Sequence, residues 1–99
     1  MDEREACLHE LLRGRGLNRT YSGYKYLFCA LQLLREDPGR LELITKRLYP
    51  DVAKSFSVTP GGVDKALRTV ARRAAGEGVS VREFLTELHR ADLKYHITL

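Results

Sequence analysis

The stretch 49–75 constrains the fold more than any other part of the sequence, because it contains two helical patterns separated by a short break. Pro50 suits a first helical position, and the apolar residues that follow it share one face, so we expect a short helix over 50–56. After a break at residues 57 and 58, Thr59 offers a hydroxyl N-cap, with Pro60 just inside a second helix. The pattern therefore predicts two helices joined by a tight turn.

The second of these helices has one apolar and one polar face. Its apolar side chains recur at i, i+3, i+4, i+7, i+8 and i+11, which is the spacing of a single helical stripe. They are Val63, Ala66, Leu67, Val70, Ala71 and Ala74. The opposite face is mostly basic and carries Asp64, Lys65, Arg68, Thr69 and Arg72.

Two helices across a three- or four-residue turn, the second basic on its free side, are typical of a helix-turn-helix. The second helix of such a motif enters the major groove of DNA. We predict the motif at about 44–76 and its recognition helix at about 60–76. The side chains expected to contact bases are Lys65 and Arg68, with Asp64 third.

The remaining sequence predicts an all-α fold of about six helices. Its 99 residues are enough for one hydrophobic core, so we expect a single domain over 1–99. Helical periodicity indicates further helices over 3–13, from a cap at Thr20 or Ser22 to residue 35, over 40–48, and over 80–91. On the first of them Ala6, Cys7 and Leu11 are expected to face inward, with Leu8 as a further candidate. The tail LKYHITL loses the helical period and is expected to be frayed or extended.

Composition excludes several classes of protein. The net charge of +4 and the pI of about 9.3 favour an anionic partner only modestly. No apolar run approaches the ~20 residues of a membrane span, and the acidic N-terminus is unlike a secretory signal. We therefore expect a cytoplasmic protein without a membrane segment. Cys7 and Cys29 occupy apolar helical positions without CxxC spacing, which favours small buried thiols over a disulfide or a metal site.

Catalysis finds no support in the sequence. His9, His89 and His96 show no ligand spacing with one another or with Cys7, so we expect no metal. No nucleophile motif is present, and no glycine-rich phosphate loop follows a strand. We expect neither an enzyme nor a cofactor.

Two segments, GYKYL at 23–27 and ITKRLYPDVAKSF at 44–56, resemble the C-terminal effector domains of the stage zero sporulation protein A family. Further agreement at matching intervals comes from Thr59, Val63, Ala66, Arg68 and Gly78. The resemblance covers about 8–78 and continues more weakly through residue 84. It implies an all-α DNA-binding effector domain of a sporulation response regulator. It also implies binding to short promoter boxes as tandem dimers, contact with the transcription machinery, and activation or repression of transcription.

The sequence departs from the pattern of that family in three ways. It contains no receiver domain, and the connection between the recognition helix and the last helix is reduced to little more than 77–79. Gly62 stands where the family has a base-reading arginine, while Lys65 replaces a second arginine and Asp64 a glutamate. Gly62 offers no side chain, and lysine lacks the rigid fork of arginine. We therefore expect DNA binding to persist with an altered or weakened sequence preference.

A second group of residues can donate hydrogen bonds to DNA phosphates, which position a protein without reading sequence. This group is Lys54, Ser55, Ser57, Thr59, Gly61, Gly62, Thr69 and Arg72. For several of them the plainer role is helix capping and termination. Asp64 is equally a first-turn acid favoured by the helix dipole or a base reader.

Two rival functions remain open. A lone effector-like domain that lacks a side chain at Gly62 can pair with a related full-length regulator and modulate it without binding DNA. RNA binding has less support, because no exposed aromatic platform is evident and the tyrosines at 24, 26 and 49 have the helical spacing of core residues.

Overall fold

The computed structural model describes the backbone of residues 3–97 and the side chains of residues 3–94. Within these residues the chain forms five α-helices and no strand, which confirms the all-α prediction. The helices are α1 (Glu3–Gly14), α2 (Tyr24–Glu36), α3 (Tyr49–Phe56), α4 (Pro60–Ala75) and α5 (Val81–Ile97). A short 3₁₀ helix (Pro38–Leu41) and a π-helical turn (Ile44–Leu48) connect α2 to α3.

One hydrophobic core is shared by all five helices. On α1 the buried residues are Leu8 and Leu12, whereas Cys7 and Leu11 are half-buried and Ala6 is exposed. The structure therefore confirms Leu8 as an inward residue, whereas the face predicted from Ala6, Cys7 and Leu11 was rotated by about one residue. The apolar residues on α1 are too few to fix the rotation of the helix from the sequence alone.

The helix predicted over 40–48 is not a continuous α-helix, and tertiary contacts explain why. Asp37 accepts a hydrogen bond from the Gly39 amide at 3.0 Å, which begins the 3₁₀ helix. The Arg40 guanidinium then donates to the Leu33 carbonyl at 2.7 Å and to the Asp51 carboxylate at 2.9 Å, so it ties this segment to both α2 and α3. These fixed points override the local helical period, and the backbone reaches α3 through the π-helical turn.

The start of α2 also differs from the prediction. Neither Thr20 nor Ser22 caps α2, because the Thr20 amide and hydroxyl both donate to the Asn18 side chain instead. Gly23 precedes the helix and lies directly against α4. A Cβ atom added there would collide with Val70 Cγ2 and approach the Ala66 carbonyl oxygen to 2.9 Å. The missing side chain therefore allows α2 and α4 to pack in contact.

Helix α5 continues to Ile97, beyond the predicted end near residue 91, so the prediction of a frayed or extended tail is wrong up to that residue. Residues 98 and 99 lie outside the described part of the chain. Two bonds from the Arg35 guanidinium to the Asp92 carboxylate, each 2.6 Å, anchor α5 to α2. Because Asp92 is a buried polar residue in line with Phe84, Leu85 and Leu88, it continues the inward face that apolar periodicity alone missed. No helix in residues 3–97 is long and apolar enough to cross a membrane.

Helices α3 and α4 form the predicted helix-turn-helix. The Gly62 amide donates to the Thr59 hydroxyl at 3.1 Å, which confirms Thr59 as the N-cap of α4. Ser57 turns the chain in the left-handed conformation, with φ of 55°, and the next amide donates to the Ala53 carbonyl. The apolar stripe of α4 packs inward: Val63, Leu67, Val70 and Ala71 are buried.

Candidate nucleic-acid interface

The face of α4 opposite the core carries exposed side chains along most of the helix. Positions 61, 65, 68, 69 and 72 fall within one arc of a helix with 3.6 residues per turn, and all of them are exposed. We call this arc the recognition face; it consists of Gly61, Lys65, Arg68, Thr69 and Arg72. Three of its five members are cationic. An exposed basic stripe of this kind suits a polyanionic ligand.

Arg68 and Asp64 form an ion pair at one edge of the recognition face. Arg68 Nε lies 3.2 Å from both carboxylate oxygens of Asp64, one helical turn earlier. The Arg68 side chain is 68% exposed, whereas that of Asp64 is only 27% exposed. The arginine therefore projects into solvent, and the carboxylate lies lower on the helix beside the core.

Tyr49 lies beneath this pair, at the start of α3. Its ring is buried, and its hydroxyl interacts with the Asp64 carboxylate. Burial raises the pKa of Tyr49 well above its usual range, and hydrogen bonding to Asp64 together with the negative charge of that carboxylate adds to the rise. The Tyr49 phenol thus stays protonated and available to the carboxylate. Tyr49 was predicted only as a core residue, because its neighbour on α4 is not apparent from the sequence.

The other predicted contact residues divide into two sets. The donors of Ser55, Thr69 and Gly62 are already engaged within the motif. The Ser55 hydroxyl donates to the Asp51 carbonyl at 3.2 Å, the Thr69 hydroxyl to the Lys65 carbonyl at 3.1 Å, and the Gly62 amide to the cap.

The second set is exposed, as is the first. It consists of Lys54, Ser57, Gly61 and Arg72. A Cβ atom added at Gly61 would meet nothing within 4 Å, so a ligand can approach the backbone there closely.

A groove of about 790 Å³ runs along the edge of α4 that holds Arg68. One wall is formed by α4 with Tyr49, and the other by the connection to α5. Gly76 and Gly78 turn this connection with φ of 91° and 92°. The groove extends the accessible surface beside the recognition face as far as the first turn of α5.

Two further cations flank the motif and were not predicted as part of it. Lys25 Nζ lies 5.2 Å from the ring centroid of Tyr26 and 5.6 Å from that of Phe56, at the end of α3. The Arg73 guanidinium lies 5.2 Å from the Tyr21 ring, on the other side of α4. The cation–π contacts of Lys25 with Phe56 and of Arg73 with Tyr21 join residues distant in sequence, so no local pattern could have revealed them.

His9 and His89 lie away from the recognition face. His9 stacks on Phe28 and Tyr24, and the Arg19 guanidinium donates to His9 Nε2 at 3.1 Å, so Nδ1 carries the proton and faces the Tyr24 hydroxyl. Burial lowers the pKa of His9, and the Arg19 charge adds to this. Burial is also the main cause of the lowered pKa of His89.

Metal binding finds no support in this geometry. Within the described residues no three His, Cys, Asp or Glu side chains lie close enough together to hold a metal ion. Cys7 and Cys29 are free, half-buried thiols, and burial raises the pKa of Cys29.

Comparison with known families accords with this geometry. Residues 8–96 match the family model described as Sporulation initiation factor Spo0A C terminal. The chain belongs to this family. The match extends across α5, further than the residues quoted for the resemblance, and it confirms that resemblance.

Membership in the Spo0A C-terminal family places the chain among DNA-binding domains of transcription regulators in sporulation, which are not enzymes. In a DNA-binding domain the exposed basic face of α4, behind a capped turn, is the natural element to meet the double helix. The recognition face is thus the candidate interface of this family member.

Proposed function

We propose that the chain is a sequence-selective, double-stranded DNA-binding regulator of transcription, with α4 lying in the major groove. The observation that carries this proposal is the exposed basic recognition face on the second helix of a helix-turn-helix in a member of a DNA-binding family. The regulator acts in the cytoplasm, binds promoter DNA as a dimer or tandem dimer, and contacts the transcription machinery.

Within this proposal the bases are contacted through Lys65 and Arg68, with Asp64 as the third residue of the group. Arginine can hold guanine O6 and N7 through two donors, and lysine reaches the same atoms as a point charge. Gly62 contributes no side chain, so the sequence preference differs from that of relatives with arginine at this position. Contacts to the phosphates are proposed for Lys54, Ser57, Thr59, Gly61 and Arg72. They are also proposed for Ser55, Gly62 and Thr69, whose donors would have to leave their present partners within the motif.

The test begins with selection of duplexes from a randomised library by the purified chain. Fluorescence anisotropy then compares the selected duplex with a scrambled one at two salt concentrations. We expect tighter binding to the selected duplex at both concentrations. Equal and salt-sensitive binding to both duplexes would indicate a merely basic surface and would contradict the proposal.

Two variants separate base reading from phosphate contact. Lys65→Ala should relax selectivity by about tenfold or more, because a base contact contributes roughly 1–3 kcal/mol of discrimination. Lys54→Ala should weaken binding to both duplexes alike. It should also reduce the slope of log affinity against log salt concentration by about one. Arg90→Ala on α5 is the control for loss of one exposed positive charge and should change selectivity little.

The rival function, a protein-interaction module, predicts a different outcome. The chain would bind no duplex at either salt concentration and would form a heterodimer with a full-length relative.

A further inference from the structure

The carboxylate of Asp64 is already engaged in the free protein. Arg68 Nε lies 3.2 Å from each of its oxygens, and the Tyr49 hydroxyl interacts with it from the core side. With 27% of its side chain exposed, Asp64 lies lower on α4 than the arginine it binds. Aspartate is also the shortest acid available for this position, so its oxygens remain close to the helix.

The pair leaves the outer end of Arg68 open. Only Nε of the guanidinium is bound by the carboxylate, and among the described residues neither terminal nitrogen has a hydrogen-bond partner. The terminal nitrogens carry four of the five donors of an arginine, and they form the planar fork that fits guanine O6 and N7. The Arg68 guanidinium is therefore bound by Asp64 at Nε, while its two terminal nitrogens are available to a ligand.

We propose that Asp64 is a positioning residue: it fixes the Arg68 guanidinium through Nε so that the fork of Arg68 points away from α4 toward a base, and Tyr49 fixes Asp64 in turn. This inference rests on the proposed function and deepens it. It assigns the specific contact at this edge to Arg68, supported by Asp64 and Tyr49. It thereby replaces the direct base contact of Asp64 in the proposed function with an indirect role through Arg68.

The physical advantage is preorganisation. A free arginine samples many rotamers and loses that freedom on binding, whereas an arginine already held by an ion pair loses less. The carboxylate also offsets part of the positive charge of Arg68, which lowers the attraction to any phosphate regardless of sequence. Both effects raise discrimination between the correct and the wrong duplex. A direct contact from Asp64 to a cytosine amino group would instead require the carboxylate to release Arg68.

A double-mutant cycle on the selected duplex tests this assignment. Asp64→Asn keeps the size of the side chain and removes its charge. It should lower the ratio of affinities for selected and scrambled duplexes about tenfold, with unchanged or tighter binding to the scrambled one. Arg68→Ala should lower the ratio by at least as much. In the Arg68→Ala background, Asp64→Asn should have almost no further effect, because the residue through which it acts is absent.

Three measurements make the result specific. Glu42→Gln removes the same charge from an exposed acid outside the motif and should leave the ratio unchanged. Tyr49→Phe should lower the ratio several-fold while keeping the ring. In the NMR spectrum of the free protein, the Arg68 Nε–H signal should exchange slowly with water and should exchange faster in Asp64→Asn.

The outcomes distinguish this inference from the proposed function. If the losses of the two single variants add in the double variant, with a changed base preference for Asp64→Asn alone, Asp64 reads a base directly. In that case the inference fails while the proposed function stands. An Nε–H signal indifferent to Asp64→Asn would likewise overturn the inference alone. If the unmodified chain selects no duplex, the inference and the proposed function are both wrong.

Discussion

Two arginine–aspartate pairs in this domain use the same chemistry in opposite surroundings. Arg35 and Asp92 join α2 to α5 through two bonds of 2.6 Å, with side-chain exposures of 16% and 3%. Arg68 and Asp64 lie within one helix, at 3.2 Å, with exposures of 68% and 27%. The buried pair uses both edges of its carboxylate and serves the scaffold. The exposed pair binds only Nε and leaves donors free for a ligand.

This difference shows how burial decides what an ion pair does. In the interior, removal of one partner leaves a charge that neither water nor protein can compensate. At the surface, water replaces the lost partner, so the contribution to stability is small and the value of the pair lies in geometry. Substitutions at the two pairs should therefore separate folding from recognition.

The largest effect is expected from Asp92→Asn. It removes the charge of the buried carboxylate that binds Arg35 through two hydrogen bonds, and disrupting a buried ion pair in this way costs about 3–5 kcal/mol of unfolding free energy. Urea denaturation followed by circular dichroism measures this loss. Glu87→Gln is the matched control, because Glu87 pairs with Arg15 at the surface and should cost about 1 kcal/mol or less. Equal losses for the two variants would refute the contrast.

Gly23→Ala tests the contact that places α4 on the scaffold. The added methyl group collides with Val70 and with the Ala66 carbonyl, so we expect a loss of about 1–3 kcal/mol. Unlike Asp92→Asn, this change displaces α4 itself and should also weaken binding to the selected duplex beyond the effect of unfolding. Denaturation and anisotropy measured on one preparation compare the two effects. A variant as stable as the unmodified chain would show that the helices can move apart freely.

Acidification should lower the stability of the fold through His89, which lies beside the buried pair of Arg35 and Asp92. His89 is buried beside Asp92 and Arg35, its Nδ1 has no hydrogen-bond partner among the described residues, and burial lowers its pKa. The unfolded chain therefore takes up a proton more readily than the folded one. Stability is fully present above the unfolded-state pKa of about 6.5 and declines as the pH falls below it.

Denaturation midpoints at pH 7.5, 6.0 and 5.0 measure this decline. The decrease of the midpoint with falling pH should be smaller in His89→Gln and unchanged in Asp64→Asn. His9, whose pKa is also lowered, accounts for the decrease that remains in His89→Gln. A midpoint that stays constant over this range would count against the burial of a neutral His89.

The smallest effect on stability is expected from Asp64→Asn. An exposed pair one turn apart in a helix contributes about 0.3–0.5 kcal/mol, and the helix dipole adds a similar amount for an acid in the first turns. We therefore expect a loss below about 1 kcal/mol that shrinks further in high salt. Urea denaturation at two salt concentrations checks it. A loss comparable with that of Asp92→Asn would place the exposed pair in the scaffold as well.

The sequence allowed much of the helix-turn-helix to be predicted, because its signals are local. The cap at Thr59 and the apolar stripe from Val63 to Ala74 depend on residues a few positions apart, and the structure confirms both. The segment 40–48 and the end of α5 depend on Arg40 and Asp92, whose partners lie on other helices. Periodicity cannot represent such contacts, and for this reason both predictions failed.

In the candidate site, too, some features follow from local spacing in the sequence and others depend on contacts between helices. That Lys65, Arg68 and Arg72 share an exposed face follows from the helical period, and so does the spacing of Asp64 and Arg68 by one turn. The position of Tyr49 under Asp64 and of Lys25 over Phe56 requires the packing of α3 against its neighbours. The roles of all these residues in binding DNA stay predictions until they are measured.

The left-handed conformation of Ser57 has a consequence for protein engineering. A residue with a Cβ atom is strained in this region by roughly 1–2 kcal/mol, and asparagine tolerates the region better than serine does. Replacing Ser57 by asparagine should therefore stiffen the turn and raise the melting temperature while keeping a polar side chain. The turn offers a place where a more robust version of this domain can be built without altering the core or the arginine at the edge of α4.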